Sequence, residues 1–555
     1  MPTIEVSIET LEKLARKKVT ELDLEIVKGE MESTENKRTK LEIGDTNRPD
    51  LWCVEGVARA IRGYNGKEKG IPKINFKNSG KKIIVDKKLM EIRPFIAGFI
   101  AKSVNVSEEL LLDLIQLQDK LAENYGKKRK HISVGIYNHD RIKFPVHYRA
   151  VDPTQAKFIP LEFEKSVSLK EVLEEHPKGK EYGYILYEHK LFPLFIDSKE
   201  EVLSFPPIIN SNYIGKVEPG SQNLFIEVTG TDHKAVLLAA NIFALSLQDR
   251  GAKIESVTAA YPWKTKYGTN VSAPYIFNEK IVFDKSRIKD VLGIELSDKE
   301  IKNLLERMQY DVKIGKRIEV TIPSYRNDVM HCNDVIEDLA MCYGYEKFTS
   351  LDITSFTTGN LKNSTLFANR VRNIMTGLGF QELMSNILFN KKSLCDKMMY
   401  EDDVIEIDNV MSESYSAVRN WLTPILMECL KKNMHNEYPQ MVFEYGECVV
   451  KDENSVDNTK TIRRIAGAMS DINIGYEQAS SILDALLRSL DISYELQPMD
   501  HNSFIKGRVA KVMIDDCFAG LIGEIHPAVL NNWGLEKAVV CFELDADLLH
   551  QVSKR

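Results

Sequence analysis

The segment Tyr325–Tyr345 restricts its own folding more tightly than any other part of the chain. Asp334, Glu337 and Asp338 stand at i, i+3 and i+4, which puts three carboxylates on one face of a helix. Val335, Ile336, Leu339 and Ala340 fall on the opposite face and are free to bury, while Asp328 reaches in from the preceding turn. Four hard oxygen donors so placed suit Mg²⁺, which binds through a few carboxylates and keeps several waters. A plainer reading uses the same residues. Asn333 can cap this helix, and acids in a first turn are favoured by the helix dipole without any metal. Spacing alone leaves both open.

A chain of 555 residues has room for three or four domains, and 43 % hydrophobic with 28 % charged residues excludes a disordered or fibrous polypeptide. No apolar run approaches the roughly 20 residues that span a bilayer, and the N-terminus is acidic where a signal peptide would be basic and then apolar. A cytoplasmic protein with no membrane partner is expected. The eight cysteines are scattered with no Cys-x-x-Cys pair, which argues against a zinc knuckle and a disulfide framework alike. A net charge of −7 means that any polyanion must be met by a local patch. Lys127, Lys128, Arg129, Lys130, Arg141, Lys143 and Arg149, against the single acid Asp140, form one candidate; it reads as an RNA-facing patch or as a solvated basic face.

Shifts in pattern predict four units of a multidomain α+β protein. The first, residues 1–84, ends in the lysine-rich, glycine-punctuated stretch Lys67–Lys88, which reads as a linker or exposed loop. Within it, Pro49 opens a helix whose stripe is Leu51, Val54, Val57, Ala58 and Ile61, with Arg59 and Arg62 expected outside. Residues 89–260 alternate helices such as 108–124 with strands such as 183–187 and 224–228. In residues 268–348, Ser297 and Glu300 form a capping box before Ile301, Leu304, Leu305 and Met308. Residues 351–555 read as a further α/β unit, with an amphipathic helix through Leu366–Leu378 and strands at 440–450, 509–514 and 539–544.

The string Pro323-Ser324-Tyr325-Arg326-Asn327-Asp328, with Asp334, Glu337 and Asp338 following and Tyr343-Gly344-Tyr345 closing it, resembles the magnesium-binding B5 module of the phenylalanyl-tRNA synthetase beta-subunit family. Strings along the rest of the chain are similar to the same family in the same order. Asn47–Gly56 resembles its N-terminal domain, Phe205–Asn210 and Phe225–Asp232 its B3/B4 editing domain, and Val418–Pro424, Phe443–Val449 and Gly520–Pro527 its B6–B7 module, a relative of the class II synthetase fold with an antiparallel sheet and helices. The archaeal or eukaryotic cytosolic type fits best, and the chain stops soon after Asp547, where the bacterial type would continue into an anticodon-reading domain.

The resemblance implies Mg²⁺ at Asp328, Asp334, Glu337 and Asp338. It further implies an alpha-subunit partner in an (αβ)₂ heterotetramer, with ATP and phenylalanine at the alpha-subunit site, tRNA(Phe) as the shared substrate, and an editing site that hydrolyses mischarged Tyr-tRNA(Phe). Matching residue by residue places that editing pocket at Ser204, Asn210, Glu227 and Thr229. An activation site shaped for an apolar ring rejects an added hydroxyl poorly, so a second, hydrolytic site is useful. The C-terminal unit is expected to be catalytically inactive, because Glu444 follows Phe443 where an active core would place an arginine against ATP. Two other classes fit less of the sequence: a free-standing RNA-binding or trans-editing deacylase, and a purely structural scaffold subunit.

Overall fold

The computed structural model describes residues 2–35 and 38–553, in two compact units, Met1–Leu351 and Asp352–Arg555. In the first unit Thr3–Val6 pairs antiparallel with Arg38–Ile43, whose other edge holds Gly29–Glu35. Thr39, Leu41 and Ile43 alternate into the core, as a half-buried strand requires. A 3₁₀ turn at Pro49–Leu51 leads into the helix Val54–Tyr64, whose apolar stripe is buried as expected. Gly56 lets this helix approach the turn, since a Cβ there would lie 1.7 Å from the Asp50 carbonyl oxygen. Arg59 and Arg62, expected outside, are instead 1 % and 3 % exposed. Arg59 donates to Asp249 at 2.9 Å and Arg62 to the same carboxylate at 2.8 Å, at the end of the long helix His233–Asp249. Acids placed 190 and 187 residues away turn the charged face into a second buried face.

The central sheet has ten strands. From one edge they run Ile209–Asn210, Val202–Phe205, Phe192–Ile196, Val146–Val151, Phe76–Val85, Lys253–Thr265, Phe95–Lys102, Leu224–Gly230 and Ile132–Asn138, with Gly268–Ala273 beside Lys253–Thr265. Phe76–Val85 lies parallel to both of its neighbours, so the predicted linker Lys67–Lys88 is in its second half a central strand. Lys82 and Ile84 are exposed while Ile83 and Val85 face the core, an alternation confined to its last four residues that composition alone hid. The predicted strand at 183–187 is a 3₁₀ turn, Gly183–Ile185, following the helix Pro177–Tyr182. The sheet curls until its two edges meet. Asn138 N donates to the Ile214 carbonyl at 3.2 Å, and Asn210 Nδ2 to that of Ile136 at 3.3 Å.

A smaller sheet, Lys280–Asp284, Arg317–Thr321 and Asp311–Ile314, packs with helices Ser286–Leu292, Asp298–Arg307 and Cys332–Tyr343 around Leu305, Val320, Val335 and Leu339. The Ser297–Glu300 capping box is present. The second unit is a seven-stranded sheet in the order Gln381–Glu382, Gln440–Lys451, Thr459–Asp471, Ala538–Asp545, Cys517–Ile525, Phe504–Ile514 and Glu495–Pro498, antiparallel except for its first pair. Strand alternation splits its core. Val442 and Cys541 face the helix Thr423–Lys432, whereas Phe443 and Phe542 face Tyr476–Ser489. Among the described residues no helix is long and apolar enough to cross a membrane.

Candidate functional site

Leu224–Gly230 is buried along its whole length between Phe95–Lys102 and Ile132–Asn138. Residues two apart share a side of a strand, so Glu227 and Thr229 stand together, opposite Gly135 and Ser133 of the neighbouring strand. Where the curled edges meet, Ser204, Asn210 and Glu227 line one cavity of about 250 Å³, with Gly135, Tyr137 and Pro207. Three of the four predicted pocket residues therefore converge. Thr229 does not line the cavity; its hydroxyl accepts from Arg93 Nε at 2.9 Å and lies 3.0 Å from the Ser133 hydroxyl. Asn210 belongs to a two-residue strand and stands opposite Ser204.

Glu227 is 2 % exposed. Burial pushes its carboxyl up to about 7, against the opposing pull of the Tyr137 hydroxyl and the Arg93 guanidinium. Burial likewise lowers Arg93, to about 10. Tyr137 OH lies 2.5 Å from Glu227 Oε2 and 2.8 Å from Ser204 Oγ. Sequence reasoning missed Tyr137 and Arg93. A signal existed for the first, since Gly135 and Tyr137 alternate on a strand predictable from its β-branched neighbours; Arg93 follows a 3₁₀ turn and carried none. Chemically, the cavity offers a carboxylate poised near neutrality, a serine hydroxyl and a carboxamide in an apolar wall. Such a set can hold a hydroxylated ring. With no histidine or cysteine among its described lining residues, hydrolysis there requires a positioned water.

The four predicted metal ligands each have partners of their own. Asp338 accepts from Arg326 Nη1 and from Tyr310 OH, the latter at 2.6 Å. Asp328 accepts from Arg326 Nη2 and lies 3.8 Å from Arg48 Nε. Asp334 accepts from the Met330 and His331 backbone N–H groups at 2.8 and 2.7 Å, and His331, not Asn333, is the N-cap. Glu337 is exposed and pairs with Lys28 at 3.1 Å. No group of three His, Cys, Asp or Glu among the described residues stands ready to hold a metal ion. The expected donor set therefore does not fit Mg²⁺ in this arrangement. The physical reason is Arg326, whose buried guanidinium already pairs with both Asp328 and Asp338. Burial would raise Asp328, but Arg326 and Arg48 outweigh it and hold the carboxyl below its usual range.

In the second unit Glu444 is buried and accepts from Arg419 Nη1 at 2.7 Å and Ser385 Oγ at 2.6 Å. Arg508 donates to both oxygens of Glu524, at 2.9 and 2.8 Å. Both arginines are neutralised by their own chain. The arginines of the basic stretch are similarly engaged: Arg129 donates to the Pro207 and Ile208 carbonyls, Arg141 to that of Tyr213, and Arg149 pairs with Glu200. Lys127, Lys128 and Lys130 are the exposed part of that stretch's first run.

Comparison with known proteins identifies relatives along the whole chain. The tRNA synthetase B5 domain model matches residues 281–345, and the phenylalanyl tRNA synthetase beta chain CLM domain model matches residues 349–546. The phenylalanine–tRNA ligase beta subunit of Pyrococcus furiosus is 41 % identical over 508 residues, 91 % of this chain and 90 % of the relative. That of Thermococcus sibiricus is 38 % identical, with 98 % of each chain covered. A crystal structure of an N-terminal fragment of the Pyrococcus horikoshii phenylalanyl-tRNA synthetase beta subunit superposes with a TM-score of 0.59 at 39 % identity, covering 62 % of this chain and all of the fragment. With identity at this level sustained along nearly the whole length, the chain belongs to the phenylalanine–tRNA ligase beta-subunit family, in its archaeal type.

Proposed function

We propose that the chain serves its ligase as an editing and assembly subunit, clearing Tyr-tRNA(Phe) at the cavity between the sheet edges while a separate alpha subunit carries out ATP-dependent charging. The observation that carries this reading is the convergence of Ser204, Asn210 and Glu227 on one cavity large enough for an aromatic side chain. A carboxylate buried there accepts the phenolic proton of tyrosine. A phenylalanine ring would leave the same group unpaired, at a cost of about 1–3 kcal/mol. The hydrolytic water is held by the polar wall and activated with help from the substrate's ribose hydroxyl.

The buried pairing of Glu444 with Arg419 supports an inactive synthetase-like unit, since that guanidinium is not left to meet a triphosphate. Partner stoichiometry of (αβ)₂, contact of the exposed lysines with tRNA(Phe) and a cytoplasmic setting complete the proposal. Co-expression with a candidate alpha chain, followed by assays of phenylalanine charging and of Tyr-tRNA(Phe) deacylation, tests it. The reading requires charging only by the complex and deacylation that is lost in Glu227→Ala.

A further inference from the structure

We propose that Tyr137 is a resident phenol occupying the tyrosine-recognition position of the cavity, so that it sets the pocket's affinity by competing with the incoming ring; this rests on the editing reading above. The Tyr137 hydroxyl lies 2.5 Å from Glu227 and 2.8 Å from Ser204. These are two of the residues that a tyrosyl substrate would address, and the group they hold is chemically the group it would present. A phenol has a single proton, so one of these bonds has Tyr137 as donor and the other has it as acceptor.

The arrangement is built, because the strand makes room for it. Gly135 stands directly across from Glu227, and a Cβ at that position would lie 2.2 Å from both Glu227 Oε2 and the Tyr137 oxygen. The absent side chain is what lets the two polar groups meet. The Tyr137 ring is anchored in the apolar layer, with centroids 6.2 Å from Phe195 and 6.0 Å from Phe225. Its strand, Ile132–Asn138, is the last of the sheet and pairs in register with Leu224–Gly230, so the ring lies where the two curled edges meet. Burial and the adjacent Glu227 both raise the Tyr137 hydroxyl well above its ordinary range, which keeps it protonated and able to donate.

A tyrosyl ring entering the cavity must therefore take over a hydrogen bond that the protein already makes to itself. A phenylalanyl ring loses the same internal bond and regains none. How firmly Tyr137 holds Glu227 then sets how tightly either ring binds, and the bond regained by the phenol separates the two.

The test uses the full chain, purified with its catalytic partner, and measures hydrolysis of Tyr-tRNA(Phe) and Phe-tRNA(Phe) by wild type, Tyr137→Phe and Ser204→Ala. Tyr137→Phe keeps the ring and removes the competing hydroxyl. The KM for Tyr-tRNA(Phe) is expected to fall about tenfold, the worth of one hydrogen bond to a charged group, with the preference over Phe-tRNA(Phe) unchanged because either ring must displace the same hydroxyl. Ser204→Ala, which frees one of the two bonds on Tyr137, moves the KM the same way by less. A KM that is level or rises in both variants, while wild type clears Tyr-tRNA(Phe), overturns this inference and leaves the editing reading standing. Failure of wild type and Tyr137→Phe alike to clear Tyr-tRNA(Phe) overturns both.

Discussion

Arg326→Met should unlock the acidic helix, and no added metal should restore it. Arg326 and Asp338 are 5 % and 6 % exposed, and the guanidinium bridges Asp338 to Asp328 with its plane against Tyr310, 5.2 Å from the ring centroid. Methionine fills similar volume but leaves two carboxylates facing each other, with Tyr310 left on one and Arg48, 3.8 Å away, on the other. Breaking a buried ion pair from one side costs about 3–5 kcal/mol, more than an exposed pair by several-fold. At about 1.4 kcal/mol per tenfold, opening of the helix Cys332–Tyr343 becomes roughly a hundred- to several-thousand-fold more frequent.

Native-state hydrogen exchange of the amides in that helix reads this opening directly. The same measurement separates guanidinium from metal. A structural Mg²⁺ present at about a hundred times its dissociation constant would add about 2.7 kcal/mol of protection, which chelation would remove. With Arg326 as the internal cation, exchange in wild type should be the same in millimolar Mg²⁺ and in chelator. A tenfold or larger loss of protection on chelation, or an Arg326→Met variant that exchanges like wild type, would refute the argument.

Gly135→Ala places a methyl carbon 2.2 Å from both Glu227 and Tyr137, so an overpacking loss of about 1–3 kcal/mol is expected, read as a lower urea midpoint together with loss of deacylation. Glu227 has a carboxyl raised by burial to about 7, so between the ordinary glutamate range and about pH 7 the native state holds a proton that the unfolded chain has released. Stability from this group therefore falls as pH rises through that window, and Glu227→Gln should flatten the decline in urea midpoint between pH 5 and 8. His233 works from the acid side. Stacked on Phe95 with centroids 4.5 Å apart, it is lowered by burial to about 4, so stability falls as pH drops from about 6.5 towards 4, and His233→Phe should remove that component of acid unfolding. Arg419→Met strands the buried Glu444 and should cost about 3–5 kcal/mol, measured as faster exchange in the strand Gln440–Lys451.

Local periodicity made much of the framework legible. The helix at Cys332–Tyr343, the capping box at Ser297–Glu300 and the face shared by Glu227 and Thr229 all follow from spacings of three, four or two residues, which is the range over which backbone geometry alone decides what lies beside what. Where a sequence pattern is diluted, the reading fails. In Phe76–Val85 the buried positions are only Ile83 and Val85, near its end, and the polar residues before them are exposed or half-buried, so composition suggested a linker where the sheet has a central member.

What spacing cannot supply is the partner that decides how a polar side chain is used. Arg59 reads as an exposed helix residue until Asp249, 190 positions later, turns it inward. Asp338 reads as a metal ligand until Arg326, on the same short string, is seen to reach it across a turn. The cavity shows the same logic in reverse: Ser204 and Glu227 line it together, yet the group that occupies them is Tyr137, from a strand 67 and 90 residues away. In each case residue type sets the valence of the side chain and the fold decides what satisfies it. Glu227, Asp338 and Glu444 are each met by a phenol or a guanidinium of their own chain, so a ligand reaching any of them enters by displacing an internal partner, and the strength of that partner's hold sets the affinity.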